Sequence, residues 1–213
     1  MKSTVIEVHD KSAGIYDNMS VLVENHVHEV LFGLAYEYLS SGDTILDIGI
    51  GTGLSSYLFH RAGLKVYGAD GSEKMLNTCR EKGFAAKLSL CDLAAERWPY
   101  KDGQFENAIA CGIFHFFNEL DVFFKETSRV VKKGGTFSFT VMVSEDGLFQ
   151  CTDIGSGVFI YYHDDSRINE LLNKYGFSML KCITFFVYKT SDKKEKSVFR
   201  GYLTSLGDPL NND

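Results

Sequence analysis

Residues Ile45 to Gly53 read Ile-Leu-Asp-Ile-Gly-Ile-Gly-Thr-Gly, an apolar run that passes through Gly49, Gly51 and Gly53 into a stretch of helical period beginning near Leu54. Glycine lets the backbone turn tightly and approach a ligand with no Cβ in the way, and a helix start offers unpaired N–H groups. A carboxylate or phosphate is favoured there. A ligand-free strand-to-helix turn could use the same glycines, so the acids that follow carry weight. Nineteen residues after Gly51, the run Val66-Tyr67-Gly68-Ala69-Asp70 ends in a carboxylate, an acceptor able to take hydrogen bonds from both hydroxyls of a ribose. Twenty-two residues later Asp92 closes Leu88-Ser89-Leu90-Cys91-Asp92, placed to accept from an adenine amino group. Each acid alone serves equally well as a helix cap or a solvated loop residue. With the glycine loop they outline one nucleoside site.

Spacing argues against a dinucleotide. A dehydrogenase needs G-x-G-x-x-G, whose third glycine permits close helix–strand packing, whereas position 54 here is Leu. Asp47 inside the first strand and Asp92 after the third suit a nucleoside with an amino-acid tail better. Two histidines are candidates for proton chemistry near neutral pH. His115 follows the fourth strand in Cys111-Gly112-Ile113-Phe114-His115, at the sheet edge where doubly wound folds place ligands, and its phenylalanine neighbours equally fit a packed residue. His163 ends Phe159-Ile160-Tyr161-Tyr162-His163, in the long connection after the fifth strand. His26 and His28 lie on different faces of one helix, so no metal set is expected.

The elements that must position these groups follow from periodicity. Thr44 to Ile48, Lys65 to Asp70, Ala86 to Leu90, Asn107 to Cys111 and Thr136 to Val143 are short apolar strands of the kind buried on both faces. Helical stripes run from Val27 to Tyr38, from Leu120 to Val131 and from Ile168 to Tyr175, the last entered through Asp164 or Asp165 as N-cap. Four strand–helix units end in Gly63, Gly83, Gly134 and Gly176, a residue suited to a left-handed C-cap. Alternation of strand and helix implies parallel pairing. Phe177 to Lys189 and Glu195 to Leu206 have no helix between them and must form an antiparallel hairpin. Lys193, Lys194 and Lys196 at its tip read as a solvated turn, and Gly207 to Asp213 as a frayed tail.

The chain has 213 residues, 45% of them hydrophobic, 2 prolines and a net charge of -6. One domain over 1–213 is the expectation. The acidic balance disfavours phosphate backbones and anionic lipid. Five cysteines without a CxxC pair suit a reducing, cytoplasmic setting, and no apolar run has the length of a membrane span or signal peptide.

These motifs resemble those of the class I S-adenosylmethionine-dependent methyltransferases. Asp47-Ile-Gly49-Ile-Gly51-Thr-Gly53 resembles the family's first motif, with Ile50 where cysteine is common. Asp70-Gly71-Ser72 with Met75 resembles the ribose motif and Cys91-Asp92-Leu93 the adenine motif; Cys111, at the close of the fourth strand, is counted with them. Tyr16, in Ile15-Tyr16-Asp17, resembles a tyrosine that many members bring over the methionine moiety. The likeness covers about residues 40 to 206 and is greatest for the small-molecule branch that includes ubiquinone and menaquinone enzymes, with stretches similar to methyltransferases attached to tetratricopeptide repeats. It implies a Rossmann-like αβα sandwich, with a seven-stranded, mostly parallel sheet whose seventh strand lies antiparallel between the fifth and sixth. It also implies S-adenosylmethionine as cofactor, S-adenosylhomocysteine as product and a small-molecule acceptor. On this reading 1–40 is a helical lid, 41–206 the core and 144–163 a substrate loop, with His115 lining the cofactor cleft and His163 beside the acceptor. The protein is then a monomer or homodimer. Nucleic acid is not expected as substrate, since neither an Asp/Asn-Pro-Pro-Tyr run nor a Pro-Cys nucleophile is present. The competing class is a non-catalytic module that keeps the cofactor pocket.

Overall fold

The computed structural model describes residues 4–144, 146–155 and 157–207. Two short helices, α1 (Thr4–Ser12) and α2 (Tyr16–Leu22), precede α3 (Val27–Ala35), which tightens into a 3-10 turn at Tyr36–Tyr38. Alternating units follow: β1 (Thr44–Ile48), α4 (Leu54–Arg61), β2 (Lys65–Asp70), α5 (Glu73–Glu81), β3 (Lys87–Leu90), β4 (Phe105–Ala110), α6 (Asp121–Val130) and β5 (Val131–Met142). The remainder is β6 (Gln150–Asp153), β7 (Phe159–Tyr162), α7 (Asp165–Tyr175), β8 (Phe177–Tyr188) and β9 (Lys196–Leu206).

Seven strands form one sheet in the order β3-β2-β1-β4-β5-β9-β8. β1 pairs in parallel with β2 and β4, β2 with β3, and β4 with β5, while β9 runs antiparallel to both β5 and β8. The reversal of β9 follows from the short β8–β9 connection, which can only return the chain beside the strand it left. Chain order moves outward from β1 through β2 to β3, then restarts on the other side at β4. Ligands of such sheets bind outside the carboxyl ends of the strands at this switch.

Alternate side chains of the central strands feed two cores. Leu46, Ile48, Ala108 and Ala110 join Phe114, Phe123, Phe124, Phe137 and Phe139 under α6 and α7. Ile45 and Ile109 join Leu31, Phe59, Val66 and Leu203 under α3 and α4. Phe124 meets Phe137, Phe139 and Phe177 edge to face, a geometry worth about 0.5–1.5 kcal/mol per pair beyond burial.

Asp164 caps α7 by accepting from the Arg167 N–H at 2.9 Å, and Gly176 ends it in the left-handed conformation. Gly134 departs from expectation. α6 ends at Val130 and passes directly into β5, so this glycine lies within the strand beside a register shift against β4. A Cβ on the adjacent Gly135 would stand 2.2 Å from the Glu106 carbonyl oxygen, so Gly135 serves close strand contact, while Gly134, at φ 78°, takes the left-handed turn of the irregularity inside the strand. β4 begins earlier than its alternation predicts and ends at Ala110, leaving Cys111 just beyond it. The 144–163 connection contains the β6–β7 hairpin, which was not expected: β6 is exposed along its whole length and has no buried alternation to betray it. Glu145 and Ser156 of this connection, and residues 208–213 of the tail, lie outside the described residues.

Candidate active site

The turn from β1 into α4 separates the roles of its three glycines. All have positive φ, 79° at Gly49, 54° at Gly51 and 83° at Gly53. A Cβ at Gly49 would lie 2.5 Å from Ile113 Cγ2, and one at Gly53 would lie 2.7 Å from both Cys79 Sγ and the Phe84 ring. Those two glycines are required by packing. At Gly51 a Cβ would meet nothing within 4 Å, so here the bare backbone faces open space. Gly53 is also the N-cap of α4 and supplies no side-chain acceptor, leaving the first-turn N–H groups for another partner.

Asp47 sits beneath this loop, 1% exposed. Its Oδ2 accepts from the Ser56 hydroxyl at 2.6 Å, and its Oδ1 has no partner among the described residues. Burial, with the nearby Asp70 acting in the same direction, pushes its carboxyl up to about 7 against the opposing Ser56 bond. Asp70 ends β2 at the same edge. One of its oxygens accepts from the Gly51 N–H at 2.9 Å and the other from the Ser72 N–H at 2.7 Å. Burial raises its pKa even against those two bonds. Ser72 caps α5 by accepting from the Met75 N–H at 3.1 Å. Asp92 is exposed and accepts from the Ala94 N–H at 2.9 Å, while Cys91 Sγ donates to the Asp92 carbonyl and Leu93 is buried in the α6 and α7 core. The structure thus groups Asp47, Gly51 and Asp70 and leaves Asp92 at the rim, capping a turn.

The N-terminal helices close onto these groups. Thr52 Oγ1 donates to Asp17 at 2.6 Å, and Lys82 pairs with the same carboxylate. Ser72 Oγ donates to Asp10, and Ile6 packs against Gly71. The His9 ring stands edge-on to Phe116 at 5.0 Å. Tyr16 leaves 38% of its surface open, yet its hydroxyl end is buried. Desolvation, reinforced by Cys111, Asp17 and Asp70, pushes that hydroxyl up to about 12. Asp10, Asp17 and Thr52 were not among the residues singled out from sequence. Only the adjacency of Asp17 to Tyr16 hinted at one of them, because these bonds join residues 35 and 62 positions apart.

His115 lies in a 3-10 turn, Phe114–Phe116, after β4. It is buried, with its ring 4.2 Å from that of Phe116 and no partner for Nδ1 among the described residues. Burial, with His9 and His163 adding to it, pushes its pKa down to about 3. His163 Nε2 lies 3.2 Å from the Phe114 carbonyl oxygen, which assigns the proton to Nε2 and makes it a donor. Burial lowers its pKa as well. Both rings are neutral at pH 7, and His115 is a weak proton acceptor.

Two adjoining cavities of about 410 and 400 Å³ open at the carboxyl end of β5, beside the β6–β7 hairpin. They share Val143, Ser144, Asp146 and Val198; the first adds Met142, Tyr162, Lys189 and Lys196, the second His163, Asp165, Thr184 and Arg200.

Residues 46–139 match the model of a methyltransferase domain. Over that segment the chain is similar to the class I S-adenosylmethionine-dependent methyltransferases. It is 34% identical over 142 residues to a ubiquinone/menaquinone biosynthesis C-methyltransferase of Neisseria meningitidis, covering 62% of this chain and 57% of that one. It is 27% identical over 143 residues to the malonyl-[acyl-carrier protein] O-methyltransferase of Serratia marcescens, covering 67% and 54%. The chain therefore spans about half the length of the curated relatives it matches. In fold it is similar to 1,6-didemethyltoxoflavin-N1-methyltransferase of Burkholderia thailandensis, whose structure holds 1,6-didemethyltoxoflavin and S-adenosylhomocysteine, with a TM-score of 0.74 at 14% identity over 96% of this chain and 88% of that one. A methyltransferase of Methanosarcina mazei gives a TM-score of 0.70 at 16% identity over 82% and 97%. Among the described residues, no helix is long and apolar enough to cross a membrane, and no group of three or more His, Cys, Asp or Glu could hold a metal.

Proposed function

We propose that the chain binds S-adenosylmethionine at the β1–α4 turn and transfers its methyl group to a small-molecule acceptor, with S-adenosylhomocysteine as product. The observation that carries this reading is the open backbone at Gly51, bonded to Asp70 and adjoining the buried Asp47 with its unpartnered oxygen. The residues fit the cofactor. Gly49, Ile50, Gly51 and Gly53 form the turn against which its amino-acid end packs, their own N–H groups being bonded to Ala69, Asp70 and Ile50, and Asp47 Oδ1 is an acceptor in want of a cationic donor such as its ammonium. Asp70, with Gly71, Ser72 and Met75, takes the ribose, and Cys91, Asp92 and Leu93 border the adenine. Tyr16 and Cys111 flank the sulfonium end, where an aromatic face adds up to about 2 kcal/mol of cation–π attraction when dry.

When bound, the cofactor supplies an electrophilic methyl group on a cationic sulfur. The protein's part is alignment and exclusion of water. The segment 1–40 acts as a lid through α1 and α2, whose Asp10 and Asp17 latch onto Ser72 and Thr52. His115 and His163 shape the acceptor side as neutral hydrogen-bonding groups, and 144–163 forms its wall. Relatives named for malonyl-[acyl-carrier protein], ubiquinone/menaquinone biosynthesis and 1,6-didemethyltoxoflavin support acceptors of metabolite type. The free state of all five cysteines supports a reducing, cytoplasmic setting, and the acidic charge supports a substrate other than nucleic acid; the protein acts as a monomer or homodimer on this reading.

Calorimetry with S-adenosylhomocysteine tests the binding. Asp70→Ala should lose at least about tenfold in affinity, roughly 1.4 kcal/mol. Unchanged affinity, or NADH taken up in place of S-adenosylhomocysteine, would overturn the assignment. Release of S-adenosylhomocysteine across a metabolite panel tests the transfer.

A further inference from the structure

The helix α1 presents one face to the candidate site. Ile6, His9 and Asp10 are spaced three and four residues apart, which puts them on the same side of the helix. Ile6 packs against Gly71, and Asp10 accepts from the Ser72 hydroxyl, so this face covers the end of the site assigned to the ribose. Between those two contacts along the helix stands His9. Its ring meets that of Phe116 edge to face at 5.0 Å and lies 6.4 Å from that of Tyr16. Its Nδ1 donates to the Val5 carbonyl oxygen at 2.8 Å, one turn back along α1, which fixes the rotation of the ring and leaves Nε2 as its acceptor nitrogen.

His9 therefore borders three flanks of the site at once. Ile6 and Asp10, on its own face, hold the ribose flank. Tyr16, with Cys111 near its hydroxyl, stands at the sulfonium end. Phe116 shares a 3-10 turn with His115, their rings 4.2 Å apart, on the acceptor flank. Covalent structure says where such flanks meet. The sulfur of S-adenosylmethionine is bonded to the carbon that leads to the ribose, to the methionine chain and to the methyl group that leaves toward the acceptor. The electrostatics agree with this placement, since His9 acts on Asp70, lowering its pKa, and on His115, adding to the fall there. The other titratable groups about the ring are Asp10, Asp17, which Lys82 answers, and Tyr16 and Cys111. Burial pushes the Tyr16 hydroxyl and the Cys111 thiol up to about 12, so both are uncharged at neutral pH.

We propose that His9 is a further cofactor-site residue, its ring closing the lid side of the pocket against the sulfur of the cofactor. The inference rests on the methyl-transfer reading. At this point the donor and the product differ by one positive charge and one methyl group. An uncharged ring accommodates both, whereas a fixed cation in its place would repel the sulfonium and leave the neutral thioether bound.

Calorimetry with S-adenosylmethionine and S-adenosylhomocysteine in parallel, on the parent, His9→Gln and His9→Lys, is the test. The two ligands share their adenosine and amino-acid ends, so the ratio of their affinities isolates what happens at the sulfur. His9→Lys should weaken S-adenosylmethionine relative to S-adenosylhomocysteine by at least about tenfold, and His9→Gln should keep the parental ratio. A merely structural role would weaken both ligands together. Independently, the His9 ring resonance, assigned by its loss in His9→Gln, should shift when S-adenosylhomocysteine binds and move to a different position with S-adenosylmethionine. An unchanged ratio in His9→Lys, an equal fall in His9→Gln, or a His9 resonance that neither ligand moves would overturn the proposal while leaving the methyl-transfer reading in place. A parent that binds neither ligand would overturn that reading and this inference with it.

Discussion

Replacing Asp47 by Asn removes an ionisable group buried beneath the cofactor turn, and its effect on stability can be worked from the structure. The carboxyl titrates at about 7 in the folded protein against an ordinary 3.8. In the unfolded chain it ionises near the ordinary value. Between those limits the folded state holds a proton that the unfolded chain has released, so its contribution to stability is fully present below pH 4, declines as pH rises and is gone above about pH 7. At about 1.4 kcal/mol per pH unit the decline amounts to ~4 kcal/mol. Asparagine is neutral, of the same shape, and can still accept from Ser56. Asp47→Asn should therefore be more stable than the parent at pH 8 by up to about 4 kcal/mol, a gain on the order of 10 °C in Tm for a chain of this size, and the two should converge near pH 4. Urea denaturation across pH 4 to 8 measures the difference. The same variant should bind S-adenosylhomocysteine more weakly, because a carboxylate partner for the ammonium is gone. Parallel pH profiles for parent and variant would refute the account of Asp47 as a desolvated, protonated acid.

Three further outcomes are expected. Gly49→Ala should cost about 2–3 kcal/mol of stability through its positive φ and its clash with Ile113, whereas Gly51→Ala should cost about 1 kcal/mol yet weaken S-adenosylhomocysteine binding at least as much as Asp70→Ala does. Denaturation and calorimetry on the pair separate the packing glycine from the binding one. Asp17→Ala should speed proteolysis of the first helices and S-adenosylhomocysteine dissociation in stopped flow, with less than about 1 kcal/mol lost in overall stability, because this carboxylate is partly solvated. His115, with a pKa of about 3, should leave no inflection between pH 5 and 8 in kcat; a limb near pH 6.5 that disappears in His115→Gln would contradict its burial as the controlling influence.

Much of the fold was legible in the sequence because it is written in local terms. The Asp47 to Gly53 turn, the acids closing β2 and following β3, the cap of α7 at Asp164 and the β8–β9 hairpin each depend on a few neighbouring residues and their allowed conformations. Periodicity likewise set the strand–helix alternation, from which parallel pairing follows. Gly134 and the β6–β7 hairpin escaped because the first lies where a helix runs into a strand without a cap and the second is led by β6, whose residues are all exposed. At the candidate site, sequence supplied residue types, and tertiary structure decided what each does. It separated Gly51, open to a ligand, from Gly49 and Gly53, needed for packing. It raised Asp47 and lowered His115, since a pKa depends on burial, which no short stretch encodes. It also joined Asp17 to Thr52 and Asp10 to Ser72, contacts across tens of residues that exist only once the N-terminal helices fold back over the sheet edge.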